Sequence, residues 1–310
     1  MIDISICICT FRRPLLLQRL LDAVFSQNVH QRQLEVVVVE NDIHRSAIAV
    51  LNAFQERFHD RLTVIELSES NISLARNAAI AVARGEWVVM VDDDECPAHD
   101  WLTCLFAAQE KYNADVVFAP VVPEYAEGVP RWIIKGQFFD RRRPVTGTRI
   151  DDKDARSGNV LVRKSFLDQL RTGHGAGPFD PAFGKTGGED SMLFRQLHAR
   201  GACMVWCDEA PVTEIVPLER ATAPWLLQRS FRTGQLFMRT ELAMFSKNRR
   251  WRRALWLGSR AIIQLCICFV LALVFLPLSP LKGFSWARLC ASQAGKLHHF
   301  LGSHSHVYGD

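Results

Sequence analysis

The chain has 310 residues, of which 48% are hydrophobic and 23% charged, so a disordered or low-complexity protein is excluded and one large domain or two modest ones fit. Its net charge of +4 is unevenly divided: residues 246–310 hold nine Lys or Arg and one acid, whereas residues 1–245 hold 28 basic and 32 acidic residues. The bulk of the protein is therefore mildly acidic, which excludes a nucleic-acid binder, and the basic excess beside an apolar run points to a membrane surface.

The predicted elements begin with ISICICT (4–10), an alternating, β-rich strand. The opening MIDISICICT has no basic region ahead of an apolar stretch, so no cleaved secretory signal is expected. The odd count of nine cysteines then fits reduced, cytosolic thiols, and Cys203 and Cys207 lack the second pair a zinc site needs. Pro14 opens a helix in which Leu15, Leu16, Leu20, Leu21, Val24 and Phe25 recur at helical spacing. LEVVVVE (34–40) is the continuous β-branched run of a buried parallel strand. A helix through 47–58, a strand at 61–67 and a helix from Ser70 or Asn71 to Arg84 follow, with Gly85 as its stop. EWVVMVD (86–92), a helix over 98–111 and DVVFAP (115–120) continue the alternation. Alternating strands and helices predict right-handed βαβ units, a mostly parallel sheet, and a ligand beyond the carboxyl ends of its strands. After residue 121 the pattern loosens, with a strand into a helix at 158–166, a Gly-rich stretch at 174–190 leading into a helix through 197, and a long helix over 223–245.

Four constellations stand out. VDDDE (91–95) crowds carboxylates at a strand end, where Asp92 and Asp94 suit a hard cation such as Mg²⁺ or Mn²⁺ that also binds phosphate oxygens; a solvated acidic turn fits too. GGED (187–190) places Glu189 and Asp190 at a helix start after a flexible approach, which is also how an ordinary first helical turn reads. In SNISLARNAAI (70–80), Arg76 and Asn77 interrupt an apolar helix, so Arg76 either meets an anion or reaches solvent. Arg229 and Arg232 share one helical face, as a diphosphate clamp or as a basic surface. Trp132 is either an acceptor-sugar platform or part of a loop core. Four histidines (His298, His299, His304, His306) crowd the C-terminal tail, where no metal is expected.

Taken in order, ISICICTFRRP (4–14), VEND (39–42), SNISLARNA (70–78), VMVDDDE (89–95), GKTGGED (184–190) and RSFRTG (229–234) resemble the family 2 inverting glycosyltransferases of the GT-A fold. PRW (130–132) and VPLER (216–220) are similar to the subgroup of glucosyltransferases that build bacterial exopolysaccharide of the succinoglycan type on a lipid carrier. The resemblance implies an α/β nucleotide-diphospho-sugar transferase domain over 1–245, with a nucleotide-binding half to about 120 and an acceptor half over 121–245. It implies that Thr10, Arg12 and Asp42 hold the nucleoside, and that Arg76, Asn77, Asp92, Arg229 and Arg232 border the nucleotide sugar. It further implies that Asp94 and Asp92 bind metal, that Asp190 is the general base, and that Glu189 and Trp132 meet the acceptor. Where the family often has a metal-binding His, this chain has Thr213, so the third metal ligand is in question. A family 2 enzyme of this kind moves a sugar, with UDP-glucose favoured as donor, to a polyprenyl-diphosphate-linked saccharide; a catalytically inactive sugar-nucleotide-binding scaffold is the alternative. A dehydrogenase is excluded because CTFRRP has no glycine.

The last region, 246–310, reads as a basic and apolar membrane-associated segment with a flexible tail. Residues 261–278 contain one polar side chain, Gln264, and Lys247, Arg249, Arg250, Arg252 and Arg253 stand before them. A helix over 254–276 reaches about 35 Å, enough for one span, yet Lys282, Arg288 and Lys296 beyond it weaken the charge asymmetry and favour an in-plane or re-entrant helix. The basic cluster predicts the cytoplasmic face of the bacterial inner membrane.

Overall fold

The computed structural model describes residues 2–29, 31–152, 155–170 and 177–301; His174, His304 and His306 lie outside the described residues. The chain forms β1 (Ile4–Thr10), α1 (Pro14–Phe25), β2 (Leu34–Glu40), α2 (Ile48–Phe58), β3 (Leu62–Glu66), α3 (Ile72–Val82), β4 (Trp87–Met90), β5 (Glu95–Pro97), α4 (Trp101–Tyr112), β6 (Val116–Phe118) and β7 (Val121–Tyr125). It continues through α5 (Arg131–Lys135), β8 (Val160–Arg163), α6 (Lys164–Asp168), α7 (Glu189–Ala199), β9 (Met204–Trp206), β10 (Val212–Val216), α8 (Ala223–Ala243), α9 (Lys247–Leu278) and α10 (Pro280–His298).

The central sheet has seven strands in the order β3-β2-β1-β4-β8-β6-β9. Pairs β1–β2, β2–β3, β1–β4 and β6–β9 are parallel, whereas β8 runs antiparallel between β4 and β6. Every residue of β2 is buried, as its unbroken β-branched run requires. The alternation of β1 divides its side chains between two cores: Ile4, Ile6 and Ile8 meet α1, α2 and α4, while Cys7 shares the other face with α3, α6 and α7. The order reverses between β1 and β4, so the carboxyl ends of these strands open the crevice where such sheets take ligands.

The structure moves several expected boundaries. The third helix ends at Val82 rather than Arg84. Loosely patterned sequence from 121 onward supplies β7 and β10, which join β5 in a second, three-stranded sheet, β5-β10-β7. The division of the chain falls elsewhere than at residue 245: one compact unit comprises Met1–Glu124 and Asp140–Ile215, the other Tyr125–Phe139 and Val216–Val307. Helix α8, expected within the catalytic domain, thus belongs with α9 and α10. The segment from Pro280, to which the sequence pattern assigns no element, is helical through His298. Pro280 starts this helix at a position where its missing N–H is not needed.

In the second unit an aromatic cluster forms around Ile133 and Phe138. Trp132 meets Phe138 and Phe284 edge-on, with ring centroids 5.6 and 5.1 Å apart. Arg229 lies over the rings of Trp225 and Phe139 at 5.4 and 5.5 Å. Both residues are half-buried, as is Arg232 on the same helix.

Candidate active site

The site in the first unit begins where β1 and β4 end. Thr10, the last residue of β1, donates its hydroxyl to Asp93 Oδ2 at 2.9 Å. Arg13 follows in the turn before α1, and its Nη1 reaches Asp93 Oδ1 at 3.0 Å and Asp94 Oδ2 at 2.8 Å. Burial raises the Asp93 pKa to about 6; the Arg13 cation opposes that rise and the Asp94 charge adds to it. Of the three adjacent aspartates, Asp93 is therefore a structural anchor. Asp92 is the open one, with 46% of its side chain exposed, while Asp94 retains 12%.

The nucleoside candidates lie beside them. Arg12 adopts a left-handed backbone, φ 56°, which turns its Nε toward Asp42 Oδ1 at 3.3 Å. Burial raises the Asp42 pKa, but the His44 N–H and the Arg12 guanidinium outweigh it and hold the carboxyl below its ordinary range. The edge of this cradle is rigid: Asn41 Nδ2 donates to the carbonyls of Leu67 and Glu69, and its Oδ1 accepts the Asn71 N–H. Asn71 in turn caps α3, accepting from the N–H groups of Ser73 and Leu74.

Arg76 is the hinge of the site. It is 91% buried at the side chain, and it neither reaches bulk solvent nor stands alone. Its Nη1 donates to Glu189 Oε1 at 2.7 Å and its Nη2 to Asp92 Oδ1 at 3.0 Å, so one planar fork joins the acidic strand end to the start of α7. The second Glu189 oxygen is buried without a partner among the described residues. Burial lifts the Glu189 carboxyl to about pH 7, against the pull of Arg76 and with the push of Asp190. Asn77, next along α3, donates to the Phe179 carbonyl at 2.7 Å and accepts the Phe179 N–H at 2.9 Å.

Gly188 caps α7 with φ +95°, a conformation that a side chain would strain, and the helix then starts with Glu189 turned inward and Asp190 half-exposed. Asp190 Oδ1 accepts the Ser191 N–H at 2.6 Å, leaving Oδ2 as the oxygen able to accept from a ligand. The first unit thus unites Thr10, Arg12, Asp42, Arg76, Asn77, Asp92, Asp94, Glu189 and Asp190. Arg229, Arg232 and Trp132 belong to the second unit.

Sequence reasoning missed two members of this network. Arg13 lay inside ISICICTFRRP (4–14) without a role; the signal was a basic residue at a strand end facing a carboxylate triplet. Glu95, in β5, is buried, and its Oε2 accepts the Asp92 N–H at 2.9 Å. Burial, then the charge of Asp92, pushes its pKa well up. Thr213 faces Cys96 across the β5–β10 pair, accepting from Arg19 at 3.3 Å and donating to the Cys96 carbonyl at 3.4 Å. Its hydroxyl is thus engaged in the sheet. Among the described residues no group of three or more His, Cys, Asp or Glu forms a metal-holding cluster. Asp92 and Asp94 offer hard carboxylate oxygens of the kind that would suit a Mg²⁺-like ion completing its shell with water and phosphate oxygens.

The model of the "Glycosyl transferase family 2" family matches residues 5–171. Succinoglycan biosynthesis protein ExoM of Rhizobium meliloti is 33% identical over 235 residues, covering 76% of this chain and 74% of that protein. The chain belongs to glycosyltransferase family 2. This glycosyltransferase is also 24% identical to a poly(ribitol-phosphate) beta-glucosyltransferase of Bacillus spizizenii over 43% of the chain and 21% of that protein. Among solved structures, residues 1–349 of S. aureus TarS in complex with UDP superpose with a TM-score of 0.54 at 16% identity, over 97% of this chain and 92% of that one. GalNAc-T7 with UDP, GalNAc and Mn²⁺ superposes with a TM-score of 0.53 at 15% identity, over 75% of this chain and 48% of that one. These likenesses establish the GT-A-like fold of the glycosyltransferase.

Proposed function

We propose that this glycosyltransferase moves glucose from UDP-glucose, with inversion, onto a polyprenyl-diphosphate-linked saccharide during exopolysaccharide synthesis at the cytoplasmic face of the bacterial inner membrane. The single observation that carries the chemical part is the Asp92–Arg76–Glu189 bridge, which ties an acidic strand end to the helix that begins with Asp190. The likeness to ExoM supports exopolysaccharide as the setting. The basic stretch before α9 supports the cytoplasmic face.

In this reading Thr10, Arg12 and Asp42 line the nucleoside, and Arg12 is held ready by its ion pair. Asp94 and Asp92 would hold Mg²⁺ or Mn²⁺, whose charge would offset the negative charge growing on the leaving diphosphate. Asp190 Oδ2 takes the proton of the acceptor hydroxyl as the new bond forms, a contribution of roughly 10²–10⁴-fold in rate. The free Glu189 oxygen accepts a hydroxyl from the bound saccharide. Attack from the face opposite the diphosphate converts an α-linked donor into a β-linked product without a covalent enzyme intermediate. Arg229 and Trp132, engaged by aromatic rings in their own unit, are given no step.

Membranes of expressing cells, supplied with radiolabelled UDP-glucose and a solvent-extracted lipid acceptor, test the reading. Label is expected in the lipid fraction, with β-linkage by nuclear magnetic resonance. Label that appears only as free glucose overturns the acceptor assignment. UDP titration calorimetry with and without Mn²⁺ tests the metal: Asp94→Ala is expected to abolish any gain in affinity from Mn²⁺, and equal affinity with and without the ion in the unmutated protein removes the metal from the scheme.

A further inference from the structure

Helix α9 has 32 residues, about 48 Å at 1.5 Å per residue, and its apolar part has a mean hydropathy of 2.8. Only 17% of that part is covered by the rest of the protein, so it is no core helix. One stripe, Leu257, Ala261, Cys268 and Ala272, is buried. The opposite face exposes Ile262, Ile263, Ile267, Phe269, Val270 and Leu273, each more than half exposed.

What covers the buried stripe decides the orientation. Helix α10 turns back at Ser279 and accompanies α9: Gly283 lies against Leu276 near the turn, and Phe300, just past α10, lies against Gly258 near the other end. Helix α10 is also locked to α8, because Gly295 sits on the Phe231 carbonyl and Gly234 on the Ser292 carbonyl, where no side chain fits. It carries Lys282, Arg288 and Lys296, and Gln293 is buried within the bundle. A bilayer-crossing α9 would drag these groups and α8 into hydrocarbon, where each charge is strongly disfavoured. Beyond Arg253, the exposed face of α9 carries one charge, Arg260, whose guanidinium lies over Trp256 toward the basic end.

The amino-terminal end supplies the complementary charge. Arg249, Arg250 and Arg252 are exposed, as are Trp251 among them and Trp256 about one turn further on, and residues 246–309 contain no acid. Basic and indole side chains bordering an apolar face are what an interfacial helix presents to headgroups.

We propose that α9 lies in the plane of an anionic membrane, with its Ile263–Val270 face among the acyl chains, Arg249–Arg252 on lipid phosphates and α10 on the protein side, and that it does not cross the bilayer. The proposal rests on the membrane location given above and sharpens it to one geometry and one lipid charge.

The test uses the full-length protein. Sedimentation with vesicles of phosphatidylcholine alone and of phosphatidylcholine with one third phosphatidylglycerol should show binding that rises with the anionic lipid. Replacing Arg249, Arg250 and Arg252 together by Gln should lower that affinity on the order of a hundredfold. The pair Ile263→Asn and Val270→Asn should abolish vesicle binding while UDP affinity and the far-ultraviolet circular dichroism stay unchanged. In inverted membrane vesicles from expressing cells, Ser279→Cys should react with a membrane-impermeant maleimide, the label being placed by peptide mass spectrometry. Labelling only after detergent opens the vesicles means a crossing helix and overturns the proposal. So does vesicle binding that survives the Asn pair, or a dimer that the pair dissociates in a protein indifferent to vesicles. Failure of UDP to bind strikes the transferase reading and leaves the membrane geometry standing.

Discussion

The two units differ in the partners on which most of their positive charge rests. In the first, arginines meet carboxylates at short range: Arg13 joins Asp93 and Asp94, Arg76 joins Asp92 and Glu189, and Arg12 joins Asp42. In the second, where acids are scarce, cations lie over rings: Arg229 over Trp225 and Phe139, Arg288 over Phe138 and Lys296 over Phe237, while Arg253 both lies over Trp256 and pairs with Glu241 at 3.0 Å. Carboxylate pairing fixes direction and distance, which a reaction site needs. Cation–π contact is looser and leaves the net charge in place. The first unit is thus arranged to position a small charged ligand, and the second keeps a positive field.

Four measurements bear on that contrast. Asp190→Asn is expected to lower kcat by roughly 10²–10⁴-fold with donor affinity retained, since it removes basicity and keeps shape; a kcat within tenfold of the parent removes Asp190 from the base role. Arg76→Ala strands a buried carboxylate and is expected to cost about 3 kcal/mol in urea unfolding. A cost no larger than that of an exposed arginine would mean the bridge is ornamental. The third is a pH profile. The folded Glu189 pKa of about 7 lies above its ordinary 4.5, so the protein holds a proton there that the unfolded chain releases. Its contribution to stability is present below 4.5 and is lost as pH rises through 7. The parent's melting temperature should therefore fall between pH 5 and 7.5 relative to that of Glu189→Gln, and parallel curves would refute the assignment. Smallest is Arg229→Ala, expected to cost about 1 kcal/mol. A loss matching that of Arg76→Ala would erase the distinction between the units.

Much of the first unit was legible because its signals are local. The β-branched run of β2, the cap at Asn71 and Pro14 at the first helical position each act within a few residues. The aspartate triplet and the Gly-rich approach to Asp190 were legible for the same reason. What escaped depends on long-range placement. Strand β8 enters antiparallel between β4 and β6, and nothing within VLVR records its neighbours. The second sheet is built from strands of three to five residues, too short for a period to register. Helix α10 was hidden by its glycines, which weaken a helical pattern locally and are required for contact with α8 and α9. Arg13 was visible as a residue but not as a partner, because its carboxylates lie 80 and 81 positions away.

The paired bonds between Asn77 and Phe179 give the side chain the hydrogen-bonding pattern of a neighbouring strand. A chain pinned in this way at Phe179 is mechanically insulated: a change of length upstream of Gly177 ends at the staple and does not reach Asp190. Chain length there can vary while the helix that opens with Glu189 and Asp190 keeps its place beside α3.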